Sequence, residues 1–533
     1  MRPGLSRLVG LLGATSLLVI GAASIGSAHA KVAQAPANVG WSGVDNSLMG
    51  WRYSPLSQVN TSNVGQLKVA WRFNSNVVGA NEDHPTIVGN VAYVTTAFNH
   101  VYALNATTGA ELWSYNSNDG LQVACCGPDA RGLAVHDGTV YLNTLDDRLI
   151  ALNATTGQVK WQVSVGSAKD GLAETAAPLF YNGLIYIGSS GSELGIRGFE
   201  EARSAATGKL VWIFYTVPSR SQGWVKQNHG IGGGTVWNNP VINPQTGLLY
   251  IATANPAPLL YAQNRPGANH WTDSIVALNA MTGKFQWGFS TTPHDMWDYD
   301  NSSNPILFPT ASGMGVGDAG KSGMWWELSA KTGEMITTPL PFALVEHSFQ
   351  PTIGGKPVTI APSPAGGDPW SPTAFSPKTN LVYIVGDNDS SSLTGSPKGD
   401  VFKAGKNDFY LGSTFSNFKT LGNNVTAVNP GSGTIVWQWN STVPSLNEGG
   451  PTVTGGNLVF TQMTETGKVL AFNATTGKLL WSANAGGATG GGASVYSVGG
   501  REYILVPTGG GGLSPGFGKL AKTQDGWVAY ALP

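Results

Sequence analysis

The chain has 533 residues, of which 72 are glycine and 18 are tryptophan, and only 11% are charged. A hydrophobic content of 41% is ample for a large core, which excludes a disordered chain, and the scarcity of charge argues against a helical bundle or coiled coil. The net charge of −1 gives no basis for binding nucleic acid or an anionic membrane. This composition favours many short strands joined by tight turns.

Residues 1–30 have the layout of a secretory signal peptide. Arg2 and Arg7 precede a charge-free apolar run, and a small-residue A-H-A pattern ends at Ala30. An uncleaved anchor helix is the alternative. We predict cleavage after about Ala30 and a mature chain, residues 31–533, that has no membrane span and is periplasmic or secreted, where a disulfide can persist.

One phrase recurs along the rest of the chain. It has an alternating apolar strand, an Asn/Thr/Gly turn and a second strand that carries a tryptophan, which is typical of a β-hairpin. The copies are VYALNATTGAELW (101–113), LIALNATTGQVKW (149–161), EEARSAATGKLVW (200–212), IVALNAMTGKFQW (275–287), VTAVNPGSGTIVW (425–437), VLAFNATTGKLLW (469–481) and the weaker WWELSAKTGEMI (325–336). The asparagines of the NAT triplets are predicted to serve these turns.

The spacing of the repeat predicts a β-propeller. The turn glycines recur at steps near 50 residues, with two longer steps, as expected for blades with inserted loops. The C-terminal segment from Trp527 resembles the first half of the phrase, and residues 67–71 resemble its second half. Pairing these two strands would add a hairpin and remove an open sheet edge. We therefore predict an all-β, eight-bladed propeller as a single domain, with seven blades as the alternative.

Cys125 and Cys126 are adjacent and are the only cysteines in the sequence. Two cysteines cannot form a C-x-x-C-H haem attachment motif or a four-cysteine metal site. Neighbouring α-carbons lie about 3.8 Å apart, below the roughly 4.4–6.8 Å usual for a disulfide. Two buried free thiols would be the ordinary arrangement, but an oxidising compartment favours a strained disulfide ring.

Three further features are not required by the repeat. Glu193 stands among small residues in GSSGSELG, Trp237 follows three glycines, and Asn255 stands beside prolines in ANPAP. Each also has an ordinary interpretation, as a solvated turn acid, a core tryptophan and a turn asparagine. The segment PHDMWDYDN places Asp298 and Asp300 two residues apart. In an extended segment their side chains share one side, a crowding that calls for a hard cation or a shared proton unless the segment is a surface turn.

Together, in this order on an eight-bladed repeat, these features resemble the pyrroloquinoline quinone (PQQ) dependent alcohol dehydrogenases of the methanol dehydrogenase large-subunit type. The resemblance runs from about Trp41 to the C-terminus. It implies a vicinal disulfide of Cys125 and Cys126 over the quinone and a floor formed by Trp237. The other implied cofactor contacts are Arg131 in CCGPDARG, Thr175 in ETAAP, Ser190 and Gly191 in GSSG, Thr235 in GGGTVW and, less closely matched, Glu82 in NEDHP and Lys321 in KSGMWW.

The same resemblance implies the metal ligands Glu193, Asn255 and Asp298, with Asp298 also the general base. These ligands offer only oxygen, so the ion should be hard, Ca²⁺ or a relative. It would polarise the quinone carbonyl while Asp298 takes the alcohol proton and hydride moves to the quinone. An aspartate two residues after the base marks the lanthanide-using members. Because Asp300 stands there as a fourth ligand, we predict a light lanthanide rather than Ca²⁺.

The implied activity is oxidation of a small, primary alcohol, with electrons passed to a separate soluble cytochrome c; the resemblance leaves a homodimer open. The sequence departs from the family at Asp368-Pro369-Trp370, and it lacks the family's tryptophan in SLNEGGPTVTGGNLVF (445–460). Lys321 stands where arginine is common. The alternatives are a non-catalytic scaffold similar to the outer-membrane assembly lipoprotein with PQQ-like repeats, a degenerate enzyme that binds PQQ without turnover, and a dehydrogenase for polyols or polyvinyl alcohol.

Overall fold

A computed structural model describes the chain from Gln34 onward. It covers residues 34–79, 81–118, 127–218, 232–260, 265–346, 355–395, 413–444, 448–488, 490–509 and 524–533. All of them belong to one compact unit, Gln34–Pro533. The predicted signal peptide lies outside the described residues.

The described residues form strands and four short 3-10 helices, which confirms the all-β prediction. The helices are Val64–Gln66, Ala97–Asn99, Ala168–Asp170 and Ser192–Leu194. The strands are β1 (Asn38–Val39), β2 (Tyr53–Ser54), β3 (Lys68–Val78), β4 (Thr86–Val88), β5 (Val91–Thr95), β6 (His100–Asn105), β7 (Glu111–Asn116), β8 (Ala134–His136), β9 (Thr139–Asn143), β10 (Arg148–Asn153), β11 (Val159–Ser164), β12 (Leu179–Tyr181), β13 (Leu184–Gly188), β14 (Phe199–Ser204), β15 (Leu210–Tyr215), β16 (Val241–Asn243), β17 (Leu248–Ala252), β18 (Ser274–Asn279), β19 (Phe285–Ser290), β20 (Ile306–Thr310), β21 (Gly313–Ala319), β22 (Met324–Ser329), β23 (Leu340–Pro341), β24 (Val358–Ile360), β25 (Ala374–Ser376), β26 (Leu381–Gly395), β27 (Ser413–Asn429), β28 (Thr434–Ser441), β29 (Gly449–Thr454), β30 (Leu458–Met463), β31 (Lys468–Asn473), β32 (Leu479–Asn484), β33 (Ser494–Val498), β34 (Arg501–Thr508) and β35 (Gln524–Ala531).

These strands pair into eight sheets within the described part of the chain. Five sheets contain four consecutive strands each, β4–β7, β8–β11, β12–β15, β16–β19 and β20–β23. The other three have the orders β24-β26-β27-β28 with β25 also on β26, β2-β29-β30-β31-β32, and β1-β33-β34-β35-β3. Sequential strands joined by short turns give antiparallel pairs throughout, and β2 is parallel to β29. In the last sheet β3 pairs with β35, with Phe73 opposite Trp527. No helix in the described residues is long and apolar enough to cross a bilayer.

The repeated turns are held by their own asparagines, as predicted. The Asn105 side-chain oxygen accepts the backbone N–H groups of Thr107 and Thr108 at 2.9 and 3.1 Å. Gly109 then takes a φ of 72°, which favours glycine because it lacks a Cβ. A Cβ there would also lie 2.5 Å from the ring of Trp71, so this glycine serves both the turn and the packing.

Five of the repeated tryptophans each join one sheet to the next. In each case the indole N–H donates to the carbonyl oxygen of an alanine in the turn of the following sheet. We call this set the tryptophan belt: Trp71 to Ala106 (3.1 Å), Trp113 to Ala154 (3.0 Å), Trp212 to Ala280 (2.9 Å), Trp287 to Ala330 (3.2 Å) and Trp437 to Ala474 (2.9 Å). Burying a large ring while satisfying its one polar atom is the arrangement tryptophan favours.

Candidate functional site

A ring of residues precedes one strand of each of the eight sheets; we call these the first strands: β4, β8, β12, β16, β20, β25, β29 and β33. Each member stands four positions before its strand begins; in β29 the count starts at Thr452, where regular pairing with β30 resumes after an irregularity. We call these residues the pre-strand ring: Glu82, Ala130, Thr175, Trp237, Ser302, Trp370, Glu448 and Gly490. Three of them, Glu82, Thr175 and Trp237, are predicted cofactor contacts, and Arg131 follows Ala130.

Contacts between neighbouring sheets place the ring around one centre. First strands touch in the orders β4–β8–β12 and β16–β20–β25–β29–β33, and β33 returns to β4. The Asn239 side-chain amide donates to Ala177 O at 2.8 Å, which joins the segments before β12 and β16. Gly490 N donates to Asn81 O at 3.1 Å across the junction of first and last sheets. Residues far apart in the chain therefore meet here.

Arg131 lies between an acid and an aromatic ring. Its Nη2 is 2.7 Å from Glu82 Oε2, and its guanidinium carbon is 4.9 Å from the centroid of Trp237. Burial raises the pKa of Glu82, and Arg131 opposes that rise. Arg131 Nε is buried without a hydrogen-bond partner in the described residues. The structure thus brings three predicted cofactor residues together and leaves one donor available.

Hydroxyl groups and a glycine line the neighbouring wall. Thr175 Oγ1 and Ser190 Oγ are 2.7 Å apart, and Thr235 Oγ1 and Ser192 Oγ are 2.8 Å apart. Gly191 has a φ of 109°, and a Cβ there would lie 2.4 Å from a backbone carbonyl oxygen. Only glycine fits that position without a shift of the backbone. Ser192 was not among the predicted residues.

Two aspartates share one lysine. Lys321 Nζ is 3.1 Å from Asp298 Oδ2 and 2.9 Å from Asp300 Oδ2, so these two carboxylates reach the same ammonium, although the backbone is not extended at Asp298. Asp298 has a φ of 71°, and its N–H donates to the carboxylate of Asp295 at 3.1 Å. Burial raises the pKa of Asp298 well above its usual range, while Lys321 opposes the rise. Burial alone would lower the pKa of Lys321, but the two aspartates outweigh it.

Asn255 and Glu193 stand beside this group. Asn255 N donates to Asp300 Oδ1 at 2.6 Å. Burial, then the charge of Asp300, raise the pKa of Glu193 to about 7. Asn255 Oδ1 and Asp298 Oδ1 are buried without a hydrogen-bond partner among the described residues. Two unsatisfied acceptors beside further carboxylates are suited to a cation, because burying them without a partner costs free energy.

The cation that the structure places against these aspartates is the Lys321 ammonium. The sequence placed Lys321 against the cofactor; the structure places it first against Asp298 and Asp300. As the side chains stand in the described residues, no three His, Cys, Asp or Glu groups are gathered to hold a metal ion. Lys321 contacts Asp298 through Oδ2, which leaves Asp298 Oδ1 as the oxygen available to a metal ion.

Two predicted residues are not described by the structure, and two residues that it does describe were not predicted. Cys125 and Cys126 lie outside the described residues, so their disulfide stays a prediction. Asp295, whose carboxylate accepts the backbone N–H of Asp298, was not a predicted site residue. Glu448 received no role either, although its position in the ring, four residues before regular pairing, is the signal that could have identified it.

The fold and the ring define the class of protein: a β-propeller with polar residues converging before its first strands. A family model for the glucose/ethanol/alcohol dehydrogenase β-propeller domain matches residues 41–341. A model for the outer membrane protein assembly factor BamB matches residues 422–514. The dehydrogenase subunit of a quinone-type alcohol dehydrogenase from Gluconobacter oxydans is 32% identical over 558 residues, covering 92% of this chain and 73% of that protein.

Solved structures agree with that match. A quinohemoprotein alcohol dehydrogenase from Pseudomonas putida has a TM-score of 0.84 at 28% identity, covering 92% of this chain and 80% of that chain. A europium-containing methanol dehydrogenase has a TM-score of 0.83 at 28% identity, covering 92% and 98%. The chain belongs to the PQQ-dependent alcohol dehydrogenase family, whose members named here are oxidoreductases, and the predicted resemblance is confirmed.

Proposed function

We propose that this protein oxidises a small primary alcohol with PQQ and a bound metal ion. The observation that carries the proposal is the group beside Lys321. Asp298 and Asp300 share its ammonium, while Asn255 Oδ1 and Asp298 Oδ1 are buried acceptors without a partner in the described residues. A purely structural ion pair does not require those unsatisfied oxygens, whereas a hard cation would satisfy them.

The quinone would lie within the ring. Trp237 offers an aromatic face, and Arg131 offers a positive charge whose Nε has no hydrogen-bond partner among the described residues. Both suit a planar, anionic group. The hydroxyls of Thr175, Ser190 and Thr235 and the open backbone at Gly191 would contact its edge. Glu82 would orient Arg131, and the Cys125–Cys126 disulfide would cover the opposite face.

Glu193, Asn255, Asp298 and Asp300 would hold the metal. Three carboxylates and an amide oxygen form a hard donor set, and three negative charges match a trivalent ion. We therefore favour a lanthanide over Ca²⁺, a preference supported by the europium-containing relative. Lys321 would move from one aspartate toward the cofactor when the ion binds.

The chain's own part in the reaction is proton transfer and positioning. When bound, the quinone supplies the carbonyl that accepts hydride, and the metal polarises it. Asp298 would take the hydroxyl proton of the alcohol, because a bound metal ion would add its charge to that of Lys321 and lower the pKa that burial raises. Asp295 would hold Asp298 in its positive-φ conformation through the backbone hydrogen bond. Each turnover then yields an aldehyde, two electrons and two protons.

Several wider features belong to the same proposal. We infer that the eight sheets are the blades of one propeller over residues 31–533, closed by the pairing of β3 with β35. Residues 1–30 would be a signal peptide, and the enzyme would act in the periplasm or outside the cell. Electrons would pass to a soluble cytochrome c.

Reconstitution tests the proposal directly. Apo-protein is mixed with PQQ and either Ca²⁺ or La³⁺, and dye reduction is measured across primary alcohols. We expect PQQ-dependent absorbance and turnover, with higher activity from La³⁺. Full activity with Ca²⁺ alone would contradict the lanthanide preference, while binding of PQQ without turnover would indicate a degenerate enzyme.

A scaffold is the second candidate, favoured by the match of residues 422–514 to the BamB model. That region contains repeat copies and β29–β32, which a scaffold would share. A scaffold would not need the acid–lysine group or the Arg131–Trp237 stack. Absence of both PQQ binding and turnover in the reconstitution would favour it.

A further inference from the structure

Glu448 is a buried acid in the pre-strand ring whose carboxylate has no hydrogen-bond partner in the part of the chain that the structure describes. Its side chain is 0% exposed, and neither Oε1 nor Oε2 has a hydrogen-bond partner in the described residues. Its backbone N–H donates to Thr464 Oγ1 at 2.8 Å, so the main chain is held in place. An unsatisfied buried carboxyl costs stability, and such a group calls for an explanation.

Contacts between neighbouring segments place Glu448 in the same ring as Glu82 and Trp237. The Trp370 indole N–H, one sheet before Glu448, reaches Gly490 O, one sheet after it, at 3.4 Å. Because this hydrogen bond joins the segments on either side of Glu448, the segments that precede β25, β29 and β33 must converge. Packing is close here, because a Cβ on Gly450 would lie 2.6 Å from Pro372. Glu448 thus belongs to the same ring as the cofactor residues.

The charged groups that face Glu448 are acids. Asp387, Glu82, Glu465 and Asp129 all act on it, and the basic residue beside them, Arg131, is already paired with Glu82. Burial, reinforced by these acids, raises the pKa of Glu448 well above its usual range. The neutral carboxyl carries one O–H donor, for which the described protein offers no acceptor.

PQQ carries carboxylates, which are ionised at neutral pH. An ionised Glu448 in the ring would repel them, whereas a protonated Glu448 would supply a charge-assisted hydrogen bond. Glu448 would therefore oppose cofactor binding when it is ionised and support it when it is protonated. The O–H donor of protonated Glu448 therefore matches the carboxylate acceptors of the cofactor.

We propose that Glu448 binds PQQ in its protonated form, donating a hydrogen bond to a cofactor carboxylate, so that cofactor uptake is coupled to a proton. This inference rests on the proposed function, since it assumes that PQQ occupies the ring. When Glu448 starts ionised, one proton is taken from solvent per cofactor bound and stays on its carboxyl. No bond other than this hydrogen bond is formed.

The test is the affinity of full-length apo-protein for PQQ, in buffer containing Ca²⁺, by equilibrium dialysis at pH 6 and pH 9. At pH 6 we expect Glu448→Gln to bind within about threefold of wild type, because the amide still donates. Glu448→Ala should bind about tenfold or more weakly, as expected for a lost hydrogen bond to a charged group. As pH rises from 6 to 9 the wild type should lose affinity more steeply than Glu448→Gln, because one linked proton changes affinity by up to about tenfold per pH unit.

Glu502→Gln is the matched control. Glu502 is also 0% exposed, burial raises its pKa to about 7, and one of its oxygens lacks a partner, yet it lies on β34 outside the ring. It should keep the wild-type pH dependence, and circular dichroism with thermal unfolding verifies that each variant is folded.

Two results would overturn the inference: Glu448→Ala binding as tightly as wild type at pH 6, or Glu448→Gln weakening in parallel with wild type up to pH 9. Failure of the wild type to bind PQQ at either pH would instead reject the proposed function together with this inference. The two failures are therefore distinguishable.

Discussion

The tryptophan belt and the pre-strand ring occupy the same eight sheets but follow opposite rules. Every member of the belt is a tryptophan that donates to a turn carbonyl of the next sheet, as Trp71 and Trp212 do. Members of the ring stand at an equally regular spacing, yet they range from Glu82 to Trp237 and Gly490. Regular position with uniform residues indicates structure, and regular position with varied residues indicates a site.

The comparison therefore separates stability from activity. Belt changes should lower stability and leave the chemistry of folded molecules unchanged. Changes in the ring, or in the residues beside it, should lower turnover or cofactor binding and leave the stability of the fold nearly unchanged. Variants in each region can break that separation.

Asp298→Asn should have the largest effect. The amide keeps the size of the side chain but cannot take a proton, so turnover should fall by about 10²–10⁴-fold, the usual contribution of a general base. The PQQ dissociation constant and the melting temperature should stay close to wild type. Steady-state dye reduction with PQQ-loaded protein measures the loss, and an unchanged rate would mean that another group is the base.

Trp212→Ala should lower the free energy of unfolding by about 3–5 kcal/mol, because it empties a large buried site and removes the bond to Ala280. Denaturant unfolding measures this. Trp212→Phe, which keeps a ring without the donor, should lose less. Turnover per PQQ-loaded molecule should not change in either variant; a large drop would show that the belt also positions the site.

Asp300→Ala should change metal preference. The change removes one of the three carboxylates proposed to balance the charge of a trivalent ion, and it also removes one partner of Lys321. The ratio of La³⁺-supported to Ca²⁺-supported activity should therefore fall about tenfold. Asp300→Asn, which retains an oxygen ligand without the charge, is the matched variant and should show an intermediate ratio. An unchanged ratio would exclude Asp300 as a determinant of metal choice.

Asp147→Asn should have the smallest effect and should act on stability alone. Both carboxylate oxygens of Asp147 are buried without a partner in the described residues, and burial raises its pKa to about 8 from 3.8. Because the folded pKa is raised, the stabilisation is present below pH 3.8 and is lost as pH rises through 8. Between pH 6 and pH 9 the melting temperature of the wild type should fall further than that of the variant. The difference between the two falls should be about 1–2 °C in so large a chain.

Much of the architecture could be predicted because it repeats locally. The turn asparagines, the turn glycines and the tryptophans recur within one short phrase, and a pattern of that length determines a hairpin without help from distant residues. The predicted site residues could be collected by resemblance, and Arg131, Glu82 and Trp237 do lie together.

The pairings inside the site could not be predicted, because they depend on how distant segments converge. Nothing near Lys321 in sequence shows that its ammonium lies between Asp298 and Asp300. The copy at residues 200–212 illustrates the same limit. Its Glu201 and Arg203 replace apolar residues of the repeat and satisfy each other only as a buried ion pair.

The pairing of β3 with β35 sets an order of events during synthesis. Ser75 Oγ donates to Asp525 O at 2.8 Å although the two residues are 450 positions apart. A ribosome releases β3 long before β35 exists, so the nascent chain carries an unmatched strand edge for most of its translation, and such edges promote misassembly. Completion of that sheet therefore comes late in synthesis, after the strands of the seven other sheets have been made.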